Sequence, residues 1–421
     1  MDINYKKSGQ KLIKLPYGSG NITLDISRLR ENIDIITPPS HEQNALTEKD
    51  LDEFLAAHEI KIPPNAAISI AINDNTRPNR YDLLLTGLLR YFEQHHCHRD
   101  NIDIWIASGT HHPLEEEAYK DFIPLPIVEN YRIYSHDCDD PSNLVYVGKT
   151  SRATAVWVNQ DFFNSDLKIT IGTIEPHHFM GFSGGAKTAA IGLAGRETIE
   201  QNHHLLLQPH TETAHYADNP MRMDVEEIGD LLNIDICFNA IMDHEKNVIR
   251  LVWGKPREVM IEGVSLSKKI CQVTIPEKYD LVIASAGGFP KDINFYQAQK
   301  AISNACMICK DGAEIILAAE CRAGAGNDRF LQFMQGKRSF SEVMDEFSRI
   351  PFQIGPHKAY LLARQGLQYH ISLKSSMDDE MVRTLLMTPL PSLQHALDDF
   401  DASPGKRIAI LPYGGLTVPD V

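Results

Sequence analysis

Residues 167–187 read LKITIGTIEPHHFMGFSGGAK, and this stretch decides the fold class. Leu167–Ile174 is rich in β-branched residues and reads as a buried strand. It ends in a loop with two histidines and then a glycine-rich run into Lys187. The same rhythm extends outward in both directions. Further strands are expected at Ala67–Ile72, Ile102–Ala107, Ile234–Ala240, Leu281–Ala284 and Ile315–Ala318. Helical stretches separate many of them, such as Tyr81–Phe92 with Leu83, Leu84, Leu88 and Phe92 on one side. Strand, loop, helix, strand predicts a mostly parallel sheet covered on both faces. Before this series, residues 12–36 read as two short strands around Gly18, Ser19 and Gly20, and an amphipathic helix is expected at about 47–57.

The chain has 421 residues, enough for two or three domains. A break near Ile275, Pro276 and Glu277 precedes a fresh strand. The expectation is an α/β protein of two domains, each a mostly parallel or mixed sheet flanked by helices, with the active site in the cleft between them. Residues 1–274 form the N-terminal, cofactor-binding domain, joined by the C-terminal strand 406–421, and residues 275–405 form the second. A net charge of −15 argues against general nucleic-acid binding, yet allows a few focused basic groups to hold a small anion. The seven cysteines (Cys97, Cys138, Cys237, Cys271, Cys306, Cys309 and Cys321) are odd in number and scattered, as in a reduced cytoplasmic protein. No signal-peptide core is visible, and no apolar run approaches the roughly 20 residues of a membrane span.

In open parallel sheets, ligands bind beyond the carboxyl ends of the strands. After Ala67–Ile72 come Asp74, Asn75, Thr76, Arg77 and Pro78. After Ile102–Ala107 come Gly109, Thr110, His111, His112 and Pro113. After Leu167–Ile174 come His177, His178 and the glycine-rich run. Asp74 alone reads as a helix N-cap and Arg77 as a surface charge or an anion site at a helix start. The histidine pairs alone read as loop residues. Gathered at parallel strand ends, they suit proton transfer near neutral pH. Gly181, Ser183 and Gly185 spell Gly-x-Ser-x-Gly, but Glu175–Met180 separates them from the strand, which a hydrolase elbow does not allow. Ala186 breaks the spacing of a phosphate loop, although successive glycines still free N–H groups to face a phosphate. Lys187 next to them can pair with a phosphate or act as a covalent amine. His203 and His204 lie in a helical stretch, 196–207. His95, His96, Cys97 and His98 read as a surface loop, and Cys306 with Cys309 as helix core packing. Asp292 reads as the N-cap of a helix on which Tyr296, Gln297 and Lys300 share one face, a set that suits a carboxylate.

The run from Asp74 to Pro78, Gly109 to Pro113, His177 to Lys187, Asn202-His203, and Gly287 through Tyr296, Gln297 and Lys300 resembles the nickel-dependent lactate racemases in order and near-family spacing. The resemblance covers nearly the whole chain. It implies a racemase or epimerase that inverts C2 of a 2-hydroxy acid. The implied cofactor is the nickel-pincer nucleotide, a pyridinium-3,5-bisthiocarboxylic acid mononucleotide with Ni(II), supplied by cofactor biosynthesis enzymes and covalently attached to Lys187. His203 is the implied nickel ligand, and Asp74, Asn75, Thr76 and Arg77 line the nucleotide. His111 and His177 are the implied acid and base, working with hydride transfer. Arg77, Tyr296, Gln297 and Lys300 hold the substrate. Two positions depart from lactate-specific members. Ala186 replaces a basic residue, and His357 falls roughly where a tryptophan stands beside the substrate methyl. A larger or hydroxylated substrate, such as a sugar acid, follows from that polar wall. The alternative is a non-catalytic protein that binds the nucleotide or nickel cofactor with the same loops. A nicotinamide dehydrogenase lacks its Gly-x-Gly-x-x-Gly after an early strand. The expected protein is cytoplasmic, without nucleic-acid or membrane partners, and compatible with an oligomer.

Overall fold

The computed structural model describes residues 4–5, 11–29, 32–39, 44–77, 79–243, 245–275, 277–350, 352–400 and 405–420. Pro78 and Pro276, named above, lie outside them. The chain divides into two compact units, Met1–Ser40 with Cys271–Val421, and His41–Ile270.

The His41–Ile270 unit is built on six strands in the order Val248–Gly254, Ile236–Met242, Leu167–Thr173, Ile68–Asn73, Ile102–Ala107 and Arg132–Ser135. All neighbours are parallel except the edge strand Val248–Gly254, which runs antiparallel. Ile70, Ile72, Ile104, Ile106, Ile169, Ile171 and Phe238 pack with Leu84, Leu88 and Phe92 of the Leu84–Gln94 helix in one core. Burying each such side chain contributes roughly 1.5–3 kcal/mol. The Glu48–Ala56 helix begins with a capping box, in which Thr47 and Asp50 satisfy each other's backbone N–H groups.

The other unit holds six parallel strands in the order Thr388–Pro389, His370–Lys374, Cys309–Ala318, Tyr279–Ser285, Ile408–Leu411 and Ile33–Ile35. One face packs on Ala298, Ala301, Ile302 and Ala305 of the Phe295–Met307 helix. Against the other face lies the Lys11–Tyr17 and Gly20–Asp25 hairpin, through Ile13, Leu15 and Leu24.

The N-terminal segment and the strand at 408–411 therefore belong with residues 271–421, where the sequence reading had placed them with residues 41–270. Their apolar faces name no partner locally. The parallel ladders of Ile408–Leu411 with Tyr279–Ser285 on one side and with Ile33–Ile35 on the other decide it, and such pairings are non-local. Two smaller expectations also change. Asn294, not Asp292, caps the Phe295–Met307 helix, accepting from Gln297 N–H at 3.0 Å. The buried Asp292 instead accepts from Gly18 N–H at 2.7 Å and Glu320 N–H at 3.0 Å, fastening the hairpin turn to the sheet. Cys306 is helical, but Cys309 opens a strand. Among the described residues, no helix is long and apolar enough to cross a membrane.

Candidate functional site

Three neighbouring parallel strands of the His41–Ile270 unit deliver the chemistry. Asn73 is paired in register with Ala107, so the segments that follow leave the sheet side by side. His111 Nδ1–H donates to Asp74 Oδ2 at 2.6 Å. The Thr76 hydroxyl and N–H donate to Asp74 Oδ1 at 2.7 and 3.2 Å. Asp74 is thus a buried acceptor rather than a helix cap, while His111 and Asn75 are exposed. Burial alone would raise the Asp74 carboxyl. The bond to His111 and its charge, the Thr76 hydroxyl and the Arg77 guanidinium outweigh it, and the group ends below its ordinary value.

On the other side of the Ile68–Asn73 strand, the chain leaves Thr173 and makes a short hairpin, Pro176–His177 against Gly181–Phe182. His177 is buried, and its Nδ1 accepts from Met180 N–H at 3.3 Å. The Phe179 ring stands edge-on to His177 at 4.6 Å and to His203 at 5.7 Å. Gly184 has φ +85°, and a Cβ there would lie 2.5 Å from Ile174 Cγ1, so only glycine permits this turn into Lys187.

Lys187 opens the short Lys187–Ala190 helix and is half-buried. Burial, with the charges of Arg77 and Arg222, holds its pKa well below the ordinary lysine value, which favours the neutral, nucleophilic amine. His203 sits on the Arg196–His204 helix, where its Nδ1–H donates to Ile199 O at 2.9 Å. The lone pair is then on Nε2, the usual arrangement of a metal-binding imidazole. Burial first, then the Lys187 charge, pushes His203 down to about 4. Arg77 contributes to the electrostatics of both Lys187 and His203. The structure thus links Asp74, Arg77, His111, Lys187 and His203 by bonds and charge, and His177 to His203 through Phe179.

Sequence reading missed the Pro220–Leu232 helix that supports this set. Arg222 is fully buried, pairs with Glu226 at 2.7 Å, and donates to the carbonyls of Phe182 and Gly184 at 3.3 and 3.1 Å. Asp224, also fully buried, accepts from Thr150 (2.5 Å), Thr154 (2.9 Å) and Asn202 (2.9 Å). Asn219 caps the helix and donates to Phe179 O at 2.9 Å. The Asn-Pro start and the i, i+4 Arg–Glu pair are the signal that would have found it.

Tyr296, Gln297 and Lys300 lie in the other unit, half-buried on the Phe295–Met307 helix. His357 and Lys358, at the start of the Pro356–Gly366 helix, are each 2% exposed. The His357 ring is edge-on to Tyr296 at 6.3 Å, and Lys358 Nζ lies 5.1 Å from the Tyr296 ring centroid. Ala186 is fully buried, with no room for the basic residue expected by resemblance, because Gly229 packs on its Cβ.

Comparison with known proteins identifies the family. The lactate racemase N-terminal domain matches residues 17–214 and the lactate racemase C-terminal domain matches residues 275–418. The chain is 27% identical to the lactate racemase of Thermoanaerobacterium thermosaccharolyticum, over 96% of this chain and 97% of that protein. It is 26% identical to the lactate racemase of Lactiplantibacillus plantarum, over 96% and 98%. The solved lactate racemase apoprotein of T. thermosaccharolyticum superposes with a TM-score of 0.88 at 25% identity, covering 97% of this chain and all of that one. A Thermotoga maritima protein shares the fold with a TM-score of 0.69 at 17% identity, covering 90% of this chain and all of that one. With both domain descriptions matched in order across most of its length, the chain belongs to the lactate racemase family, whose named members here are isomerases.

Proposed function

We propose that this protein racemises or epimerises a 2-hydroxy acid at C2, with His111 and His177 exchanging the hydroxyl proton. The observation that carries the reading is the 2.6 Å bond from His111 Nδ1–H to the buried Asp74. It fixes the imidazole with its basic lone pair on Nε2, oriented by a carboxylate that stays charged. His177 is set the opposite way. Its Nδ1 accepts from Met180 N–H, so the neutral ring carries its proton on Nε2. His111 thus offers a lone pair that can take the hydroxyl proton, and the imidazolium so formed is the acid that can return it. The neutral His177 offers a ring N–H to the substrate oxygen and serves as an acid in turn only once its ring is protonated.

The family resemblance implies nickel and a pincer nucleotide, and the residues present fit that group. Lys187 has the depressed amine that amide-type attachment requires, and His203 the Nε2 lone pair that a nickel ion requires. Arg77 suits a nucleotide phosphate, whereas the glycine turn does not offer the N–H groups expected from its sequence, because Gly185 N–H donates to Asn239 Oδ1 at 2.8 Å and Ser183 N–H to Glu175 O at 2.9 Å. When bound, such a group supplies a hydride acceptor, so that C2 need not be deprotonated beside a carboxylate. Tyr296, Gln297 and Lys300 would hold the substrate carboxylate. Lactate is the acid named for the relatives. The buried His357 and Lys358 beside Tyr296 favour an acid with an additional polar group over the bare methyl of lactate.

The test is direct. Holoprotein, made with the cofactor-building enzymes, is incubated with single enantiomers of lactate and of hydroxylated 2-hydroxy acids carrying deuterium at C2. Inversion with deuterium retained in H2O is expected, together with a mass addition on Lys187 that Lys187→Ala abolishes. A loaded protein that inverts none of these acids, or Lys187→Ala racemising normally, refutes the reading.

A further inference from the structure

A second group of metal-ligating side chains lies outside this machinery, in the loop between Leu205–Leu207 and the Pro220–Leu232 helix. His210 Nδ1, His215 Nε2 and an Asp218 oxygen all lie within 4.8 Å of one another. The His210 and His215 rings are 5.2 Å apart, His210 Nδ1 is 3.7 Å from Asp218, and His215 Nε2 is hydrogen-bonded to the Asp218 carboxylate. Side-chain rotation at the surface closes the remaining gap. Two imidazoles and one carboxylate suit a first-row divalent ion such as Zn2+, Ni2+ or Cu2+, whereas Mg2+ and Ca2+ want oxygen donors throughout.

The loop that carries them is held on both sides. The buried Thr211 hydroxyl lies 2.8 Å from the carbonyls of both Leu206 and Gln208. The buried Asn219 amide reaches Phe179 O at 2.9 Å and His215 O at 3.2 Å. Ala214 N–H donates to Gly181 O at 3.0 Å, and a Cβ on Gly181 would lie only 2.1 Å from His215 O. The three donors thus project from a backbone pressed against the segment that bears His177.

We propose that His210, His215 and Asp218 form a second site for a divalent transition-metal ion, separate from His203, and that its occupation stiffens the hairpin carrying His177. Three protein donors leave the remaining positions to water, so the ion is exchangeable. Its binding displaces the hydrogen bond between His215 Nε2 and the Asp218 carboxylate.

The experiment uses the full chain without a polyhistidine tag, stripped with chelator and free of nucleotide. Zn2+, and separately Ni2+, are added by equilibrium dialysis, bound metal is counted by mass spectrometry, and melting is followed by circular dichroism. One equivalent should bind and raise Tm. Both the equivalent and the Tm shift should survive His203→Ala and a triple His95→Ala, His96→Ala, His98→Ala variant, and be lost in His210→Ala/His215→Ala. Asp218→Asn, which keeps a hydrogen-bonding group of the same shape, guards against a folding artefact and should bind metal more weakly with an unchanged metal-free melt. No bound equivalent, one that persists undiminished in both loop variants, or one lost with His203 or the His95–His98 tract instead, overturns the proposal.

Discussion

Replacing Asp74 by Asn tests the heart of the proposed chemistry while changing a single heavy atom. The carboxylate is 5% exposed and takes the His111 Nδ1 proton at 2.6 Å, a short charge-assisted bond. Such bonds contribute about 1.5–3 kcal/mol. If that contribution is realised as His111 takes on charge in the transition state, its loss slows kcat by about 10- to 150-fold. An amide that turns its NH2 toward Nδ1 would also move the ring proton to Nε2 and cost more. The assay is C2 inversion by holoprotein with nickel content measured in parallel, because Asp74 also neighbours Lys187 and Arg77. Metal loading within twofold of wild type, together with the slower kcat, separates proton transfer from cofactor capture. The stability arm has a definite sign. The folded Asp74 pKa lies below the ordinary aspartate value of 3.8, so its stabilisation is fully present above the unfolded pKa. It is lost as pH falls through the folded value. Wild type should therefore lose more stability than Asp74→Asn below about pH 4 in urea titrations. A loaded Asp74→Asn protein that inverts substrate at the wild-type rate refutes the reasoning.

Three further substitutions probe the frame. Gly184→Ala forces a Cβ to 2.5 Å from Ile174 Cγ1 at φ +85°, and should destabilise by about 1–3 kcal/mol in urea unfolding. Asn202→Ala withdraws a donor from the buried Asp224 and from Met221 O, and should cost about 1–3 kcal/mol by the same assay. Arg222→Met strands the Glu226 carboxylate and should cost about 3–5 kcal/mol, whereas Arg222→Met with Glu226→Leu should recover most of that stability. Calorimetric melts of the single and double variants decide it, and equal losses in both would contradict the pairing argument.

The strand pattern was legible because buried parallel strands write their identity locally. Ile102–Ala107 and Leu167–Thr173 are runs of β-branched residues between loops, and the helices between them show one apolar face. The site residues were legible for a related reason. Parallel topology sends the candidates Asp74, His111 and His177 off the same sheet edge, and ordinary turns rarely collect that combination at one edge. What the sequence concealed is non-local. Ile33–Ile35 is a half-buried Ile-Asp-Ile strand, and nothing in it names Ile408–Leu411 as its neighbour. Asp292 has the composition of a cap, yet its partners are 28 and 274 residues away. Arg222 reads as one more helical charge until the carbonyls of Phe182 and Gly184 are placed around it.

That arginine explains more than a packing detail. A buried Arg–Glu pair can often be replaced by apolar residues of similar volume without loss of stability, so stability alone does not account for one here. The Arg222 guanidinium reaches past Glu226 to the two carbonyls that the glycine turn leaves facing inward, immediately before Lys187. Two residues later, Asp224 gathers Thr150, Thr154 and Asn202, and Asn202 is the neighbour of His203. One helix therefore presents a cation to the loop of Lys187 and an anion to the helix of His203. On the proposed reading, in which this amine and this imidazole grip a common group, the two need a fixed separation, which two mobile loops cannot supply. Tying both to a single rigid rod supplies it. The double substitution Arg222→Met with Glu226→Leu removes one of the two ties while keeping the core filled. It should then recover most of the wild-type stability and still hold nickel less well, a dissociation of stability from loading that simple core packing does not produce.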